Sequence, residues 1–484
     1  MLKPVERKRA ELASLSRVAA SLINERLVTA TFAGTSIMLS HPATEETMTV
    51  QLPEPLQFKQ AVHASELAGD IVYYDRTVSD GAELMRIFGK WTKLPCERVD
   101  QICSELENSV QNLEKSVPAE VVADYRLRAC RYPLVDGCET AVLHFVAVPR
   151  EGLTIVGDYQ QHIAQLLQGG HNLVDNDRII FPVHKTSSNH HWSIPELSPV
   201  HILPGANVGF CIKVPLAVKI TSIVRTIRRW AITIGHRLEP MLQVIENAAA
   251  SFGGSLGVIR EVAAAASPSE NLGCIIREFT ESIAVETGER IIICTAIAEH
   301  MPDVWPGLLC FEAKLNLLRD FCMHLFRSVL PSVLLHGFAL QAHMQNLLIR
   351  LDPTTRKIKR FLVRDLGSFR VHRETFWRST SLTVDTSWIL TKSDSLEKVY
   401  RFILSVIHGD IASMIRALKL GMEGWRVARV ELGRVIPADN ELARKTWLES
   451  AECMSRAHLS MQLYGVAREC KMARIPNRFY YCQV

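Results

Sequence analysis

The chain has 484 residues and a net charge of +4 at pH 7, with 48% hydrophobic and 22% charged residues. Because a single hydrophobic core stops growing at about 250–300 residues, we expect two or three packed subdomains. The two signs of charge are interspersed and no long run of lysine and arginine occurs, so nothing favours a nucleic-acid partner.

The N-terminal residues, the most apolar region and the cysteines together favour a cytoplasmic protein without a membrane span. The N-terminal residues carry several charges, unlike a secretory signal. The most apolar region, residues 191–224, contains lysines, prolines and glycines and does not suit a membrane-spanning helix. The twelve cysteines are scattered without a C-x-x-C pair, which is typical of free thiols in a reducing compartment rather than of disulfides or a zinc site.

Hydrophobic periodicity predicts an α+β chain with a mixed central sheet region and a mainly helical C-terminal half. We divide it into an N-terminal α+β subdomain (1–139), a central sheet-containing subdomain for nucleotide and carboxylate (140–300) and a mainly helical C-terminal subdomain (301–484). The predicted elements, in chain order, are a helix at 10–24, strand-like residues at 27–38, helix at 82–115, strands at 140–156, 179–184, 209–220 and 290–294, a long helical block at 313–349, a turn at 352–355 and a strand at 360–363.

A basic strand-to-helix corner is the first candidate site. Lys213 lies in a buried-looking strand, and Thr221 and Ser222 are suitable N-cap residues for a helix with Arg225 in its first turn. A helix N-terminus, a hydroxyl group and an arginine together suit a carboxylate or a phosphate. The alternative is that Lys213 is a strand-edge residue and Arg225 a surface residue.

The most specific signal is the stretch HGFALQAHMQN at 336–346, which the periodicity places on a helix. Gln345, Asn346 and Asp365 offer hard oxygen donors that suit Mg²⁺ held together with phosphates. A turn and a short strand would return Asp365 to the helix end. The alternative is that these polar groups only cap the helix and satisfy the core.

These two segments resemble motifs of the NRPS-independent siderophore synthetases, the IucA/IucC-like family. In that family a Lys … Ile-Thr-Ser … Arg segment recurs, matched here by Lys213, Thr221, Ser222 and Arg225. A His-Gly-Ile-x-x-Glu-x-His-x-Gln-Asn segment followed by Arg-Asp is matched by residues 336–346 and 364–365. The resemblance covers most of the chain and implies the multi-subdomain "cupped hand" fold of that family.

The resemblance also implies roles for individual residues. Lys213 is expected to contact the nucleotide phosphates, and Arg225 and His343 the carboxylate substrate. The nucleotide side is expected to include Ser198, Gln345, Asn346 and Asp365, with Gln345 and Asp365 as metal ligands. The substrate side is expected to include Thr221, Ser222, Arg225, Arg277, His343 and Gln462.

Several positions depart from the family pattern. Gln341 replaces a glutamate and Gln462 replaces an arginine, which removes a cation that would hold the acid. The upstream Ser-x-Arg-Thr loop retains Ser198 but has His201 in place of the arginine. The Gly-His-Pro-x-His-Pro motif is not found after the helix around residues 104–112. Three arginines lie near the expected position of this motif: Arg126, Arg128 and Arg131. One interpretation is that they contact phosphate in place of the motif, and the alternative is that they form a solvated face.

The resemblance implies an ATP- and Mg²⁺-dependent synthetase that joins a citrate-like polycarboxylic acid to an amine or alcohol through an acyl-adenylate, in siderophore-like or secondary-metabolite biosynthesis. The expected partners are these small molecules, with no nucleic acid or membrane; a homodimer is left open. Two alternatives remain. One is a non-catalytic relative that binds a carboxylate or a partner enzyme. The other is a small-molecule phosphotransferase, because Asn346 and Asp365-Leu366-Gly367 resemble a kinase-like metal-binding pair.

Overall fold

The computed structural model describes the following residues: 3–56, 62–67, 69–114, 143–167, 177–184, 209–215, 219–220, 223–224, 226–268, 272–278, 284, 286–299, 301–384, 395–465 and 471–482. They group into two compact units. The first consists mainly of the described residues up to Glu114 together with those of Ala451–Arg478, and the second of most of the remainder. The division into three subdomains stays a prediction.

Helices account for much of both units. Their bounds are α1 (Lys3–Asn24), α2 (Gly81–Thr92), α3 (Cys96–Glu114), α4 (Tyr159–Leu166), α5 (Arg229–Ser251), α6 (Cys294–Glu299), α7 (Met301–Val304), α8 (Phe311–Val329), α9 (Pro331–His336), α10 (Arg373–Thr380), α11 (Leu396–Leu418), α12 (Gly421–Val435), α13 (Glu441–Arg444), α14 (His458–Leu463) and α15 (Arg478–Tyr481), with a 3₁₀ turn at Ala64–Leu67 and a π-helical turn at Lys445–Glu449.

Short strands lie between these helices along the chain. Their bounds are β1 (Thr29–Ala33), β2 (Ser36–Ser40), β3 (Thr47–Gln51), β4 (Ile71–Tyr73), β5 (Arg76–Thr77), β6 (Leu143–Pro149), β7 (Thr154–Val156), β8 (Arg178–His184), β9 (Phe210–Lys213), β10 (Lys219–Ile220), β11 (Ile223–Val224), β12 (Leu256–Val258), β13 (Glu261–Ala266), β14 (Gly273–Glu278), β15 (Arg290–Ile293), β16 (Phe338–Leu340), β17 (Leu347–Leu351), β18 (Ile358–Val363), β19 (Phe369–Val371), β20 (Glu452–Arg456) and β21 (Met472–Pro476).

The first unit packs α1, α2 and α3 against an antiparallel meander, β1 to β5. Alternate residues of β2 and β3 point into its core, as the period of two requires. Helix α2 begins at Asp80, whose carboxylate accepts the N–H groups of Ala82 and Glu83 at 2.8 and 2.9 Å. The predicted helices at 10–24 and 82–115 are therefore confirmed, the second as two helices.

The second unit contains an antiparallel sheet in the order β7-β13-β14-β9. One face of this sheet contributes to a core that includes residues of β6, β8 and α4. The other face carries Ala264, Ala266 and Ile275, which pack with Ile227 and Ile232 at the start of α5. Alanines at these strand positions let the helix lie close to the sheet. The sheet also carries the first half of the candidate site.

A second sheet of this unit has the order β12-β18-β17-β15, with β12 parallel to β18 and the other pairs antiparallel. The β17–β18 hairpin turns at Asp352, whose carboxylate accepts the N–H groups of Thr354 and Thr355 at 3.1 and 2.8 Å. This confirms the predicted turn and the predicted strands at 290–294 and 360–363. The open end of the hairpin carries the second half of the candidate site.

The predicted helical block at 313–349 is wrong beyond residue 336. Helix α8 ends at Val329, α9 begins with Pro331, and Gly337 ends it with a left-handed φ of 62°. The following residues form β16, a turn and β17 rather than helix. The apolar run of β17 is buried on both faces of its sheet, and periodicity alone does not distinguish such a strand from a buried helix.

The predicted helix start at Thr221 and Ser222 is also wrong. Both residues and Arg225 lie outside the described residues, but Ile223–Val224 is a strand, and α5 begins only at Arg229. The C-terminal half is mainly helical, as expected, yet it also contains β19, β20 and β21, which the periodicity did not predict.

Two further expectations concern the cysteines and the membrane. The cysteines that the structure describes are free thiols, and most of them are buried. Burial raises the pKa of Cys274 to about 12, so this thiol stays protonated and behaves as a small core residue. Among the described residues, no helix combines the length and the apolar character needed to cross a membrane.

Candidate active site

The centre of the candidate site is an ion pair between the two four-stranded sheets of the second unit. Lys213 ends β9, and Asp365 follows β18 by two residues. The Lys213 Nζ atom lies 3.0 Å from Asp365 Oδ1 and 2.9 Å from Oδ2. Both side chains are about one-third exposed, so the pair can be reached from solvent. Both residues were expected on the nucleotide side of one site, and the structure brings them together.

Arg277 and Glu261 extend this pair into a row of alternating charges. Arg277 lies on β14, beside β9, and its Nη2 atom lies 2.9 Å from Glu261 Oε1 and 3.4 Å from Asp365 Oδ1. The Arg277 Nε atom also donates to Glu261 Oε1 at 3.1 Å. Both Arg277 and Glu261 are buried. Glu261 therefore holds an arginine that reaches the Lys213–Asp365 pair.

The packing of α5 fixes the position of Glu261. Its Oε2 atom is buried and has no hydrogen-bond partner among the described residues. A Cβ atom at Gly235 of α5 would lie 2.3 Å from that oxygen, so only glycine leaves room for the carboxylate there. The sequence analysis missed Glu261. The available signal was the charged Arg260–Glu261 pair just before the alanine-rich stretch 263–266.

The electrostatics of Asp365 follow from these neighbours. Burial alone would raise the pKa of its carboxyl group, but the nearby Lys213 and Arg277 cations outweigh this, and the pKa lies below the ordinary value of 3.8. Asp365 is therefore ionised at neutral pH. Its backbone has a left-handed φ of 71°, a conformation that aspartate tolerates better than most residues.

A turn between β16 and β17 supplies the other candidate residues. The Asn346 N–H donates to the His343 carbonyl at 2.7 Å, and its Nδ2 donates to the Gln341 carbonyl at 3.3 Å. The Arg364 N–H donates to the Asn346 carbonyl at 2.9 Å. Because β17 and β18 are paired up to Leu347 and Val363, Asn346 lies next to the residue that precedes Asp365.

The predicted residues of this turn differ in exposure. Asn346 is buried, His343 and Gln341 are half-buried, and the Gln345 side chain is exposed. The Gln345 carbonyl accepts from the Arg364 guanidinium at 3.0 Å. The predicted metal ligands Gln345 and Asp365 thus lie at the same end of the hairpin, and Asn346 is the more buried of the two amide residues.

The donor set fits a magnesium ion that is also bound by phosphates. No cluster of three His, Cys, Asp or Glu side chains suited to a metal occurs among the described residues. Mg²⁺ in nucleotide sites needs only one or two protein carboxylates, because phosphates and waters supply the other oxygens. The ionised Asp365 carboxylate and the Asn346 amide oxygen meet that requirement.

The remaining predicted residues lie outside the described residues or in the first unit. Ser198, Thr221, Ser222 and Arg225 lie outside the described residues, as do Arg126, Arg128 and Arg131. Gln462 belongs to the first unit, where its Nε2 atom lies 3.2 Å from Glu105 Oε2. Their assignment to the site stays a prediction.

Comparison with known proteins places the chain among characterised relatives. The family model described as "IucA / IucC family" matches residues 203–299, and that described as "Ferric iron reductase FhuF-like transporter" matches residues 316–467. The NRPS-independent siderophore synthetase rfs of Rhizopus delemar is 25% identical over 390 residues, which are 70% of this chain and 60% of the relative. The synthetase-like protein ankE of Aspergillus thermomutatus is 28% identical over 345 residues, 62% of this chain and 56% of the relative.

The chain is similar to the NRPS-independent siderophore synthetases. The resemblance expected from the motifs is thereby confirmed, although the matches span less than two thirds of either relative's length.

Solved structures of siderophore proteins share the fold. ATP-bound aerobactin synthetase IucA from a hypervirulent pathotype of Klebsiella pneumoniae matches with a TM-score of 0.72 at 14% identity, covering 96% of this chain and 99% of that one. The petrobactin biosynthesis protein AsbB from Bacillus anthracis matches with a TM-score of 0.73 at 14% identity, covering 99% and 96%. The α+β fold expected from the motif resemblance is confirmed.

Proposed function

We propose that this chain is an ATP-dependent synthetase that condenses a citrate-like polycarboxylic acid with an amine or an alcohol through an acyl-adenylate, in siderophore or related secondary-metabolite biosynthesis. The observation that carries the proposal is the Lys213–Asp365 pair, with Arg277 beside it and Asn346 at the same hairpin end. Names among the relatives support it, since they include siderophore synthetases and the Staphyloferrin A synthase of Staphylococcus aureus, 26% identical over 216 residues.

The cluster suits polyphosphate chemistry because it joins the partly exposed Lys213 ammonium group to the ionised Asp365 carboxylate. Asp365 and Asn346 would hold Mg²⁺, which when bound offsets negative charge on the phosphates and orients them. Lys213 would then exchange the Asp365 carboxylate for a phosphate oxygen of ATP. A preorganised ammonium group at that position stabilises charge that develops on the leaving pyrophosphate.

The proposed reaction has two displacements. A carboxylate oxygen of the acid forms a bond to the α-phosphorus of ATP while the bond to pyrophosphate breaks. The amine nitrogen or alcohol oxygen then attacks the acyl carbon and releases its proton to solvent, and AMP leaves with the original carboxylate oxygen. Holding the acid in line with the α-phosphorus supplies much of the rate, and we assign this to His343 and Arg225 by family resemblance.

The test follows one labelled oxygen through the reaction. The full chain is incubated with ATP, Mg²⁺, citrate labelled with ¹⁸O in its carboxylates and a panel of amines and alcohols. We expect pyrophosphate and AMP in equal amounts, a condensed product by mass spectrometry and ¹⁸O in the AMP phosphate. Unlabelled AMP would contradict an acyl-adenylate.

The same experiment separates the two alternative functions. Release of ADP instead of AMP would indicate the phosphotransferase. No turnover with any acid, combined with calorimetric binding of citrate but not of ATP, would indicate a non-catalytic relative. Gln341 and Gln462 motivate this last alternative, because each replaces a charged residue of the family motif.

A further inference from the structure

The centre of the candidate active-site turn is held from two sides by residues outside the family motifs. The Met344 N–H donates to Asp410 Oδ1 at 3.0 Å. The Met344 carbonyl accepts from the Thr295 N–H at 3.2 Å. Asp410 lies in α11 and Thr295 in α6, so two helices fix one residue. Its neighbours along the chain are His343 and Gln345.

Asp410 is an unusual residue for the interior that it occupies. It is 4% exposed, and in the described part of the chain it takes part in none of the ion pairs. Its Oδ2 atom is buried without a hydrogen-bond partner among the described residues. Burial raises the pKa of its carboxyl group well above the ordinary range, and the hydrogen bond from Met344 offsets only part of this.

These surroundings require a neutral carboxylic acid rather than a carboxylate. An isolated buried charge is far more costly than a buried neutral acid. Oδ1 then accepts the Met344 N–H while Oδ2 carries the proton. Leucine has a similar size and would avoid the cost of burying a polar group, so the interaction that distinguishes aspartate here is the hydrogen bond to the turn.

We propose that Asp410 is a positioning residue, which holds the Met344 amide and thereby fixes the turn that presents His343, Gln345 and Asn346 to the substrates. It touches no reacting atom itself. Its effect on catalysis rests on the proposed function, whereas its hold on the turn can be measured without turnover. The sequence analysis did not predict this role, because no local pattern links Asp410 to a turn 66 residues upstream.

Two substitutions separate the hydrogen bond from the carboxyl group that makes it. In Asp410→Leu the acceptor is lost. In Asp410→Asn the amide oxygen still accepts the Met344 N–H, and the amide nitrogen replaces the protonated oxygen. The matched control is Ile403→Ala, a fully buried position on the same helix, which creates a cavity but leaves the Met344 contact in place.

The first measurement is amide hydrogen exchange of the turn. In the wild-type chain we expect the Met344 amide to exchange much more slowly than that of the exposed Gln345. Asp410→Leu should raise the Met344 exchange rate about tenfold or more, because a buried hydrogen bond is lost. Asp410→Asn and Ile403→Ala should leave it near the wild-type rate. An unprotected Met344 amide in the wild type would overturn the proposal even if Asp410→Leu failed to fold.

The second measurement is steady-state kinetics of pyrophosphate release. Asp410→Leu should lower kcat by about 10²-fold, since small displacements of substrate-orienting groups have effects of that size. The KM for ATP should change much less. Asp410→Asn should restore kcat to within about threefold of wild type, because the hydrogen bond is retained. The proposal would be overturned if Asp410→Asn were as impaired as Asp410→Leu. It would also be overturned if Ile403→Ala lost as much kcat as Asp410→Leu. Absence of turnover in the wild type would contradict the proposed function, while the exchange measurement still decides the role of Asp410.

Discussion

The Lys213 ammonium group contacts both oxygens of the Asp365 carboxylate, although 152 positions separate the two residues in the chain. Each residue currently neutralises the other, and Arg277 adds a second cation at 3.4 Å. A nucleotide phosphate and its metal ion offer each of them a replacement partner of the appropriate charge.

Replacing Lys213 by methionine should abolish most ATP-dependent turnover. The variant keeps the length and apolar stem of the side chain but removes the cation proposed to stabilise charge on the phosphates. We expect kcat/KM for ATP to fall by about 10²–10³-fold, measured as pyrophosphate release. The control is Lys359→Met, which removes an exposed lysine paired with Asp352 at the far end of the same β17–β18 hairpin. An equal loss in both variants would contradict the assignment.

Replacing Asp365 by asparagine should weaken the dependence on metal. The amide keeps the shape of the side chain but loses the charge proposed to attract Mg²⁺. We expect the Mg²⁺ concentration for half-maximal activity to rise by at least about tenfold. A magnesium titration of activity checks this, with Asp352→Asn as the control. An unchanged titration would show that Asp365 is not a metal ligand.

The lowered pKa of Asp365 predicts how acid affects folding stability. Its folded-state pKa lies below the ordinary 3.8, so the ionised form is stabilised in the folded protein. This contribution is complete above pH values near 3.8 and is lost as the pH falls through the lower, folded-state value. The difference in unfolding free energy between wild type and Asp365→Asn should therefore stay constant from pH 7 to about 5 and shrink below about 4. Urea titrations across this range measure it; a difference that grows in acid would contradict the shift.

Replacing Glu261 by leucine should destabilise the second unit. It leaves the buried Arg277 guanidinium without its closest carboxylate. Breaking one side of a buried pair costs about 3 kcal/mol or more. The matched variant Glu397→Leu removes an exposed pair with Arg401 and should cost about 0.5 kcal/mol or less. Chemical denaturation of both variants checks this difference. Equal effects would show that Glu261 does not anchor Arg277.

Gln462 offers a test of acid selectivity. It stands where the family motif has an arginine, and Glu105 lies beside it. We expect the double variant Gln462→Arg with Glu105→Gln to lower the KM for tricarboxylic acids relative to dicarboxylic acids, because it adds a cation without an adjacent competing carboxylate. The single variant Gln462→Arg should gain less, since Glu105 can pair with the new arginine. Unchanged relative KM values would place Gln462 outside the acid-binding site.

Short motifs predicted part of this site because they specify chemistry residue by residue. Lys213, Asn346 and Asp365 were proposed from such motifs, and the fold brings them to adjacent strand ends. Glu261 and Asp410 were missed, since a buried carboxylate in an apolar stretch carries no local sign of its partner. Only the register of β13 with β14 and the packing of α11 against the turn reveal their contacts.

The error in the fold has a similar physical origin. A continuous apolar stretch such as Leu347–Leu351 fits both a buried helix and a buried strand. The residues that end the helix, Pro331 and Gly337, were visible in the sequence. Proline cannot continue a helix interior, and glycine readily adopts the left-handed conformation seen at Gly337. These two residues interrupt the helical periodicity at the positions where the helices end.

The most direct test of the central claim is calorimetric titration of ATP into the full chain in the presence of Mg²⁺. We expect saturable binding by the wild type and by Lys359→Met, with binding weakened at least about tenfold in Lys213→Met and in Asp365→Asn. Binding that is absent in the wild type, or equally strong in Lys213→Met, would contradict a nucleotide site built on the Lys213–Asp365 pair.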